Sequence, residues 1–271
     1  MKISCLQTEP KETIEQALVE AIDLASIAIK DGSKFLFLPE YCGGIVSNGK
    51  LYTPPSDTER NHLFLKEFKK FCKKNSIWIL IGSIAIKLDN KKIVNRSFIV
   101  NPKGKIISKY DKIHMFDIEI DGEEHHESST IAFGNKAVIA STDLGFVGHS
   151  ICYDIRFPTL YRKLAQAGAE ILVIPAAFTK TTGLAHWHIL NRSRAIENVS
   201  YVISPCAVGE IPGGGESYGH SLIINPWGEI IEDAQDHRGI ITTTIDINLV
   251  NNFRKKLPSL LHDKNFSINT A

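Results

Sequence analysis

The chain predicts one α/β domain with mixed sheets covered by helices, and three observations carry that prediction. Amphipathic helical stretches alternate with short apolar strands, hairpin-like pairs interrupt the alternation, and no linker rich in Pro, Gly or Ser divides the 271 residues. That length is ample for one sizeable core.

Residues 3–6 read as a short strand, and 13–30 as a helix with Ile14, Ala17, Leu18, Ala21, Ile22 and Ala25 on one face. A brief buried strand over 35–38 ends at Pro39-Glu40, and an amphipathic helix over 59–74 precedes a strand over 78–86. Strands over 94–100 and 105–109 flank Asn101-Pro102-Lys103-Gly104, with Pro and Gly at turn positions. After a polar loop, strands over 136–141 and 145–151 pair around Thr142-Asp143. A helix over 159–167 starts behind Pro158 and stops at Gly168. Residues 171–174 make a fully apolar strand, 187–198 a helix and 201–204 another strand. Strands over 218–224 and 229–233 flank Asn225-Pro226-Trp227-Gly228, a unit of the same form as the first hairpin, which implies two similar layers. A strand over 239–247 and a short helix over 249–255 complete the chain.

Composition narrows the function classes. Apolar residues make up 43% and charged residues 23%, and 31 Lys plus Arg against 30 Asp plus Glu leave a formal charge of +1. That balance offers no strong field for nucleic acid, so none is expected as a partner. The pairs Lys69-Lys70, Lys73-Lys74 and Lys91-Lys92 read as solvated faces. The start, MKISCLQTEP, has too short an apolar run for a signal peptide, and the apolar stretch 77–86 is far below a membrane span, so no membrane association is expected. Five widely spaced cysteines without a CxxC pair speak against a disulfide framework or structural zinc and fit a reducing cytoplasm. Gly213-Gly214-Gly215 matches neither a phosphate loop nor a dinucleotide fingerprint, so no cofactor is expected. The histidines His114, His125, His126, His149, His186, His188 and His220 form neither HExxH nor a compact ligand cluster, and no metal is expected.

Cys152 stands in GHSICYDIRFP, after an apolar stretch and before a helical one. An α/β enzyme holds a nucleophile in such a setting, with the next backbone N–H available to an oxyanion. Alone, the residue reads as core filling or as a nucleophile. Glu40 in FLFLPEYCGG and Lys112 in KYDKIHMFD also stand at strand ends, where α/β sheets place ligands. Separately, Glu40 caps a turn and Lys112 is a surface lysine. Together the three are coherent for acyl transfer: Glu40 takes the thiol proton, and Lys112 with the Tyr153 N–H stabilises the oxyanion. Glu127 in HHESST is a second carboxylate able to orient Lys112 or the leaving amine.

Other positions carry two readings. Arg156 braces Cys152 through Asp154 or a strand loop, or meets a substrate carboxylate. Phe178 and Thr179 stand where a pocket wall is expected, and Phe116 touches substrate or packs with Met115 around Lys112. Arg194 and Glu197 are spaced for an intrahelical pair.

The three motifs LPEYCGG, YDKIHMFD and GHSICYDIRFP, in this order and at these separations, resemble the carbon–nitrogen hydrolase (nitrilase-like) superfamily over nearly the whole chain. The resemblance implies a four-layer α-β-β-α sandwich that dimerises, with no cofactor. It also implies a Cys152 nucleophile, Glu40 as general base, Lys112 and the Tyr153 N–H at the oxyanion, and Glu127 as the family's second glutamate. KIHMFDIEIDG, AHWHILNRSRAIEN and SYGHSLIINPWG point to the Nit branch. There the implied reaction is hydrolysis of a small carboxylated amide. One candidate is deaminated glutathione, cleaved to 2-oxoglutarate and cysteinylglycine; alternatives are 2-oxoglutaramate, releasing ammonia, or an N-carbamoyl amino acid. SYGHS, uninterrupted between Tyr218 and Gly219, favours the first. The chain departs from the branch at His188, where relatives usually carry Glu. It departs again in the tail LPSLLHDKNFSI, which lacks the usual basic pair and terminal Tyr.

Overall fold

A computed structural model of the chain describes residues 1–48, 51–89, 92–120 and 123–270; Lys91, Asp121 and Gly122, in two of the stretches singled out above, lie outside them. The first half runs β1 (Lys2–Gln7), α1 (Ile14–Lys30), β2 (Phe35–Phe37), β3 (Ser56–Thr58), α2 (Leu63–Asn75), β4 (Trp78–Lys87), β5 (Ile93–Val100) and β6 (Ile106–Asp111). A hairpin of β7 (Asp117–Ile120) and β8 (Glu123–His126) leads to a 3-10 turn (Glu127–Ser129), then to β9 (Ile139–Thr142) and β10 (Gly145–His149). A second 3-10 turn (Cys152–Arg156) precedes α3 (Pro158–Gln166), β11 (Ile171–Val173), α4 (Lys180–Asn198) and β12 (Tyr201–Ser204). The ribbon β13 (Val208–Glu210) and β14 (Glu216–Tyr218) is followed by β15 (Leu222–Ile224), β16 (Ile230–Asp233), β17 (Gly239–Thr244) and α5 (Asn248–Lys256).

Two sheets dominate. One has the order β17-β1-β2-β4-β5-β6, with β3 also paired to β4; the other runs β16-β15-β12-β11-β10-β9. Each repeats one pattern. Three parallel strands (β1, β2, β4 and β10, β11, β12) continue into two antiparallel ones, β5–β6 and β15–β16. The Asn-Pro-x-Gly turns close these hairpins alike. Asn101 Oδ1 accepts from Lys103 N at 3.0 Å and Lys105 N at 2.9 Å, and Asn225 Oδ1 from Trp227 N at 2.9 Å and Glu229 N at 3.1 Å. The similarity of layers read from the sequence is therefore a repeat of strand order.

Side-chain alternation along the strands builds four layers. Leu36, Ile79 and Ile81 point outward against Leu24 of α1 and Phe64 and Phe68 of α2. Phe35, Phe37 and Leu80 point the other way, onto Val147, Ile171 and Ile203 of the second sheet. The opposite face of that sheet, with Leu172 and Val202, is covered by Leu160 and Tyr161 of α3 and Trp187 of α4. The architecture is an α-β-β-α sandwich. At roughly 1.5–3 kcal/mol for each fully buried large apolar side chain, the inter-sheet layer is a main source of cohesion. Helix α1 begins where expected, at a capping box in which Gln16 N donates to Thr13 Oγ1 at 3.2 Å and Thr13 N to Gln16 Oε1 at 3.3 Å.

Several boundaries differ from the sequence reading. Helix α2 starts at Leu63 rather than 59, because Glu59 is drawn into ion pairs with Arg96 at 3.1 Å and Lys109 at 2.6 Å. Helix α4 starts at Lys180 rather than 187, a full two turns earlier, and carries Gly183 against the Tyr218 ring. The strand expected over 218–224 is two strands, broken where Gly219 and His220 take positive φ. The strand expected over 239–247 stops at Thr244, and Asp246 Oδ1 then accepts from Asn248 N, the first residue of α5, at 3.0 Å. No helix among the described residues is long and apolar enough to cross a membrane.

Candidate active site

Glu40, Lys112, Glu127 and Cys152 meet in a single cleft. Glu40 follows β2 on the segment Leu38–Pro39, Lys112 comes directly after β6, and Glu127 opens the first 3-10 turn. Cys152 opens the second, three residues beyond β10, with φ +47. A left-handed conformation at a non-glycine residue costs on the order of 1–3 kcal/mol and survives only where the surroundings fix it. Here Cys152 N donates to Pro175 O at 2.9 Å, and Ser150 Oγ ties the approach to Val173 O at 2.8 Å.

Asp154 fixes the same elbow from below. It is fully buried, and its Oδ2 accepts from Tyr110 Oη at 2.6 Å and Ile151 N at 2.9 Å. Its Oδ1 faces His114 through N at 3.1 Å and Nδ1 at 2.7 Å. Those contacts leave no place for the Arg156–Asp154 brace considered from sequence. Arg156 instead reaches His186 Nδ1 at 3.3 Å, its guanidinium 5.8 Å from the Tyr153 ring centre and 5.7 Å from that of Phe178. The elbow's bracing arginine is Arg194, whose Nε donates to Ile155 O at 2.9 Å and whose Nη1 pairs with Glu197 at 2.7 Å, the intrahelical pair expected.

The charged groups form one network. Lys112 Nζ donates to Glu40 Oε1 at 2.9 Å and to Glu127 Oε2 at 2.8 Å and Oε1 at 3.0 Å. Glu40 also accepts from Asn95 Nδ2 at 2.8 Å and Ala177 N at 2.9 Å. Glu127 accepts from Tyr41 Oη at 3.0 Å and Phe116 N at 2.7 Å. Glu40, Lys112 and Glu127 are at most 3% exposed, so each charge depends on these partners. Burial works against the Lys112 charge, but Glu127 and Glu40 beside it hold its pKa well above the ordinary lysine value. Cys152 shows the opposite balance. Burial and then the Glu40 charge push its thiol well above the usual range, against the pull of Lys112. That direction favours the thiol over the thiolate, with the Glu40 carboxylate in the same cleft. The Tyr153 N–H, next along the 3-10 turn, has no intramolecular acceptor among the described residues.

The cleft is narrow, with about 380 Å³ of space including its mouth. Phe116, Tyr153, Phe178, Thr179, Tyr41 and Tyr52 line it beside the charged groups, while Arg156 stands behind Tyr153 and Phe178. Met115 is buried, as its packing role requires. The cleft opens past Tyr52 and Thr179 into a wider vestibule edged by Lys180, Glu210 and the Gly213-Gly214-Gly215 loop. Gly213 has φ +88, and a Cβ there would fall 1.8 Å from Ser47 O, so only glycine lets the loop seat against that segment.

Sequence reasoning missed Asn95, Tyr41 and the vestibule, and it paired Asp154 with Arg156 where the fold pairs it with Tyr110 and His114. For Asn95 a signal exists: Asn95 and Ser97 are polar at i and i+2 inside an apolar strand, and both are fully buried. The expected scatter of histidines does not hold either, since the fold brings His188 and His220 together around Asp233.

A thiol, two carboxylates and an ammonium converging at the edge of an α-β-β-α sandwich define a hydrolase that acts on carbon–nitrogen bonds. The chain belongs to the carbon-nitrogen hydrolase family, whose profile matches residues 2–255. It is similar to the deaminated glutathione amidase of Dictyostelium discoideum, 35% identical over 265 residues covering 94% of this chain and 87% of the relative. Among solved structures it is similar to Saccharomyces cerevisiae Nit3, a member of branch 10 of the nitrilase superfamily. The TM-score there is 0.83 at 29% identity, over 95% of this chain and 94% of that one. It also matches the Caenorhabditis elegans NitFhit protein, with a TM-score of 0.87 at 28% identity. That match takes in 97% of this chain and 65% of the longer one.

Proposed function

We propose that this chain is a single-domain thiol amidase that hydrolyses deaminated glutathione to 2-oxoglutarate and cysteinylglycine. The observation that carries the chemistry is the buried Glu40–Lys112–Glu127 network meeting Cys152 in one cleft. Glu40 accepts the Sγ proton as sulfur attacks the amide carbon. The oxyanion forms between Lys112 Nζ and the Tyr153 N–H, donors fixed before the charge develops. Glu40 then returns its proton to the amide nitrogen, the C–N bond breaks, and cysteinylglycine leaves a thioester on Cys152. Water, deprotonated by Glu40, attacks that carbonyl; the second tetrahedral intermediate collapses with cleavage of the C–S bond, 2-oxoglutarate leaves, and Glu40 returns the proton to sulfur, restoring the thiol and the carboxylate. Glu127 positions Lys112 throughout. Phe116, Phe178 and Thr179 hold the acyl part, and Arg156, behind Tyr153 and Phe178, supplies positive charge for a substrate carboxylate.

The similarity to a deaminated glutathione amidase supports the substrate. Parallel steady-state assays of deaminated glutathione and 2-oxoglutaramate, with Cys152→Ala as control, test it. A much larger kcat/KM for deaminated glutathione, lost in the variant, is expected. A preference for 2-oxoglutaramate would make the chain an ω-amidase, and Cys152-dependent turnover of N-carbamoyl amino acids alone would move it to that class. A cytoplasmic homodimer completes the reading. Five buried free thiols suit a reducing compartment, and the exposed Leu184, Ile189 and Ile196 of α4 offer a face for a second copy. Sedimentation of the purified chain checks the assembly.

A further inference from the structure

Away from the cleft, the fold gathers three ligating side chains from separate elements. His188 projects from α4, His220 from the turn between β14 and β15, and Asp233 from the end of β16. Asp233 Oδ2 lies 3.0 Å from His188 Nε2 and 3.2 Å from His220 Nδ1. One ligand atom from each residue falls within 4.8 Å of the others, the one such grouping among the described residues. The imidazole rings stand 4.9 Å apart at 73°, so their edges converge on the carboxylate instead of stacking.

We propose that this trio is a binding site for a divalent d-block cation of the zinc class. The ligands are His188 Nε2, His220 Nδ1 and Asp233 Oδ2, with water in the fourth position. Tetrahedral zinc with bonds of about 2.0–2.1 Å needs donor atoms about 3.3 Å apart; the two His–Asp spacings are close to that, and the two imidazole nitrogens lie within 4.8 Å of each other. Two imidazoles and one carboxylate suit zinc, cobalt or nickel rather than calcium or magnesium, which take oxygen ligands. Each histidine need only move its proton to the other ring nitrogen to present a lone pair.

The surroundings orient the ligands. Asp233 Oδ1 accepts from Gln235 N at 2.8 Å and lies 3.0 Å from His220 Nδ1, which fixes the carboxylate against both histidines. His220 holds a left-handed φ of +53, with its N–H donating to Gln235 O at 2.7 Å and its carbonyl accepting from Trp187 Nε1 at 2.7 Å. Its ring stacks on Tyr218 at 4.5 Å. The ligand side chains are 31%, 18% and 18% exposed, enough for an ion to enter. A bound ion would tie α4 to the β14–β15 junction. Trp187 on that helix packs 4.9 Å from Phe178, so the ion would also stiffen the cleft wall without touching substrate.

The test uses the full chain carrying Cys152→Ala, which removes the cleft thiol as a competing zinc ligand. Chelator-stripped protein is titrated with Zn²⁺ by calorimetry and with Co²⁺ by visible absorption. One equivalent per chain is expected, with Co²⁺ d–d bands, and binding at least about 100-fold weaker in His188→Gln and Asp233→Asn. Far-UV spectra and thermal midpoints of the metal-free variants show whether each has folded. Imidazole ¹⁵N shifts of the parent decide the matter without any variant, because zinc should move two histidines together. No binding at millimolar zinc would overturn the proposal and leave a hydrogen-bonded trio. Undiminished binding in both folded variants, or ¹⁵N shifts that leave these histidines unmoved, would overturn it equally.

Discussion

Gly82→Ala would place a methyl group where backbone already stands. Gly82 lies in β4 at the register shift between Ile81 and Ile84, and its Cβ would fall 2.0 Å from Leu38 O and 2.3 Å from Pro39 O. Real Cβ contacts essentially never fall under 3.0 Å, so the 38–39 backbone must withdraw by about 1 Å. That segment carries Glu40. It is laced to β4 by Leu38 N to Leu80 O at 3.0 Å, Ser83 N to Pro39 O at 3.2 Å and Tyr41 N to Ser83 Oγ at 2.9 Å. A displacement of that size at the proposed proton acceptor is expected to cost roughly 100-fold in rate, or about 2.7 kcal/mol in the barrier. The assay is kcat/KM on deaminated glutathione beside the thermal midpoint and far-UV spectrum of the variant. A folded Gly82→Ala enzyme within about threefold of the parent would refute the claim that this contact sets Glu40.

Other outcomes follow from the same network. Glu127→Gln removes the charge that shares Lys112 with Glu40. It should lower kcat by about 10²–10⁴-fold and cost about 3–5 kcal/mol of stability in urea titrations; near-parental kcat would count against a positioning role. Because burial and Glu40 raise the Cys152 thiol well above its ordinary value, alkylation by iodoacetamide without substrate should be slow at pH 7 and climb beyond pH 9. A plateau below pH 8 would contradict that. Burial lowers His62 from 6.5 to about 4 and His149 from 6.5 to about 3. The unfolded chain therefore takes up these protons first on acidification. Stability is full above about pH 6.5 and falls toward pH 4, where His62 alone withdraws about 3 kcal/mol. Thermal midpoints between pH 7 and 4 should show the fall, and His62→Leu should flatten part of it; equal slopes in the two proteins would reject the assignment.

Much of this site was legible because its chemistry is written in contiguous motifs at strand ends. Glu40, Lys112, Glu127 and Cys152 each sit in a short segment whose neighbours announce a turn, and the structure brings all four together. What escaped has no local signature. Asp154 looks like an ordinary acid beside an arginine until Tyr110 and His114 close over it from 40 or more positions away. His188 and Asp233 are 45 positions apart, and no periodicity links them. Helix boundaries shifted for the same reason: Glu59 fits the helical pattern, but its ion pairs with Arg96 and Lys109 draw it out of the helix. The seven-residue strand expected over 218–224 breaks at His220, whose left-handed backbone is held by contacts to Trp187 and Gln235 that only the fold supplies.

The repeated strand order has one more consequence. Glu40 and Lys112 follow strands of one sheet, and Cys152 follows a strand of the other. Neither half of the repeat owns a working thiol. On the proposed mechanism, the sulfur meets its proton acceptor only after the two sheets have closed face to face, so folding itself completes the hydrolytic centre. A nascent or partly opened chain carries an ordinary thiol with no carboxylate aimed at it. Loss of turnover should then be an early sign of interior loosening, ahead of any change in helix or strand content.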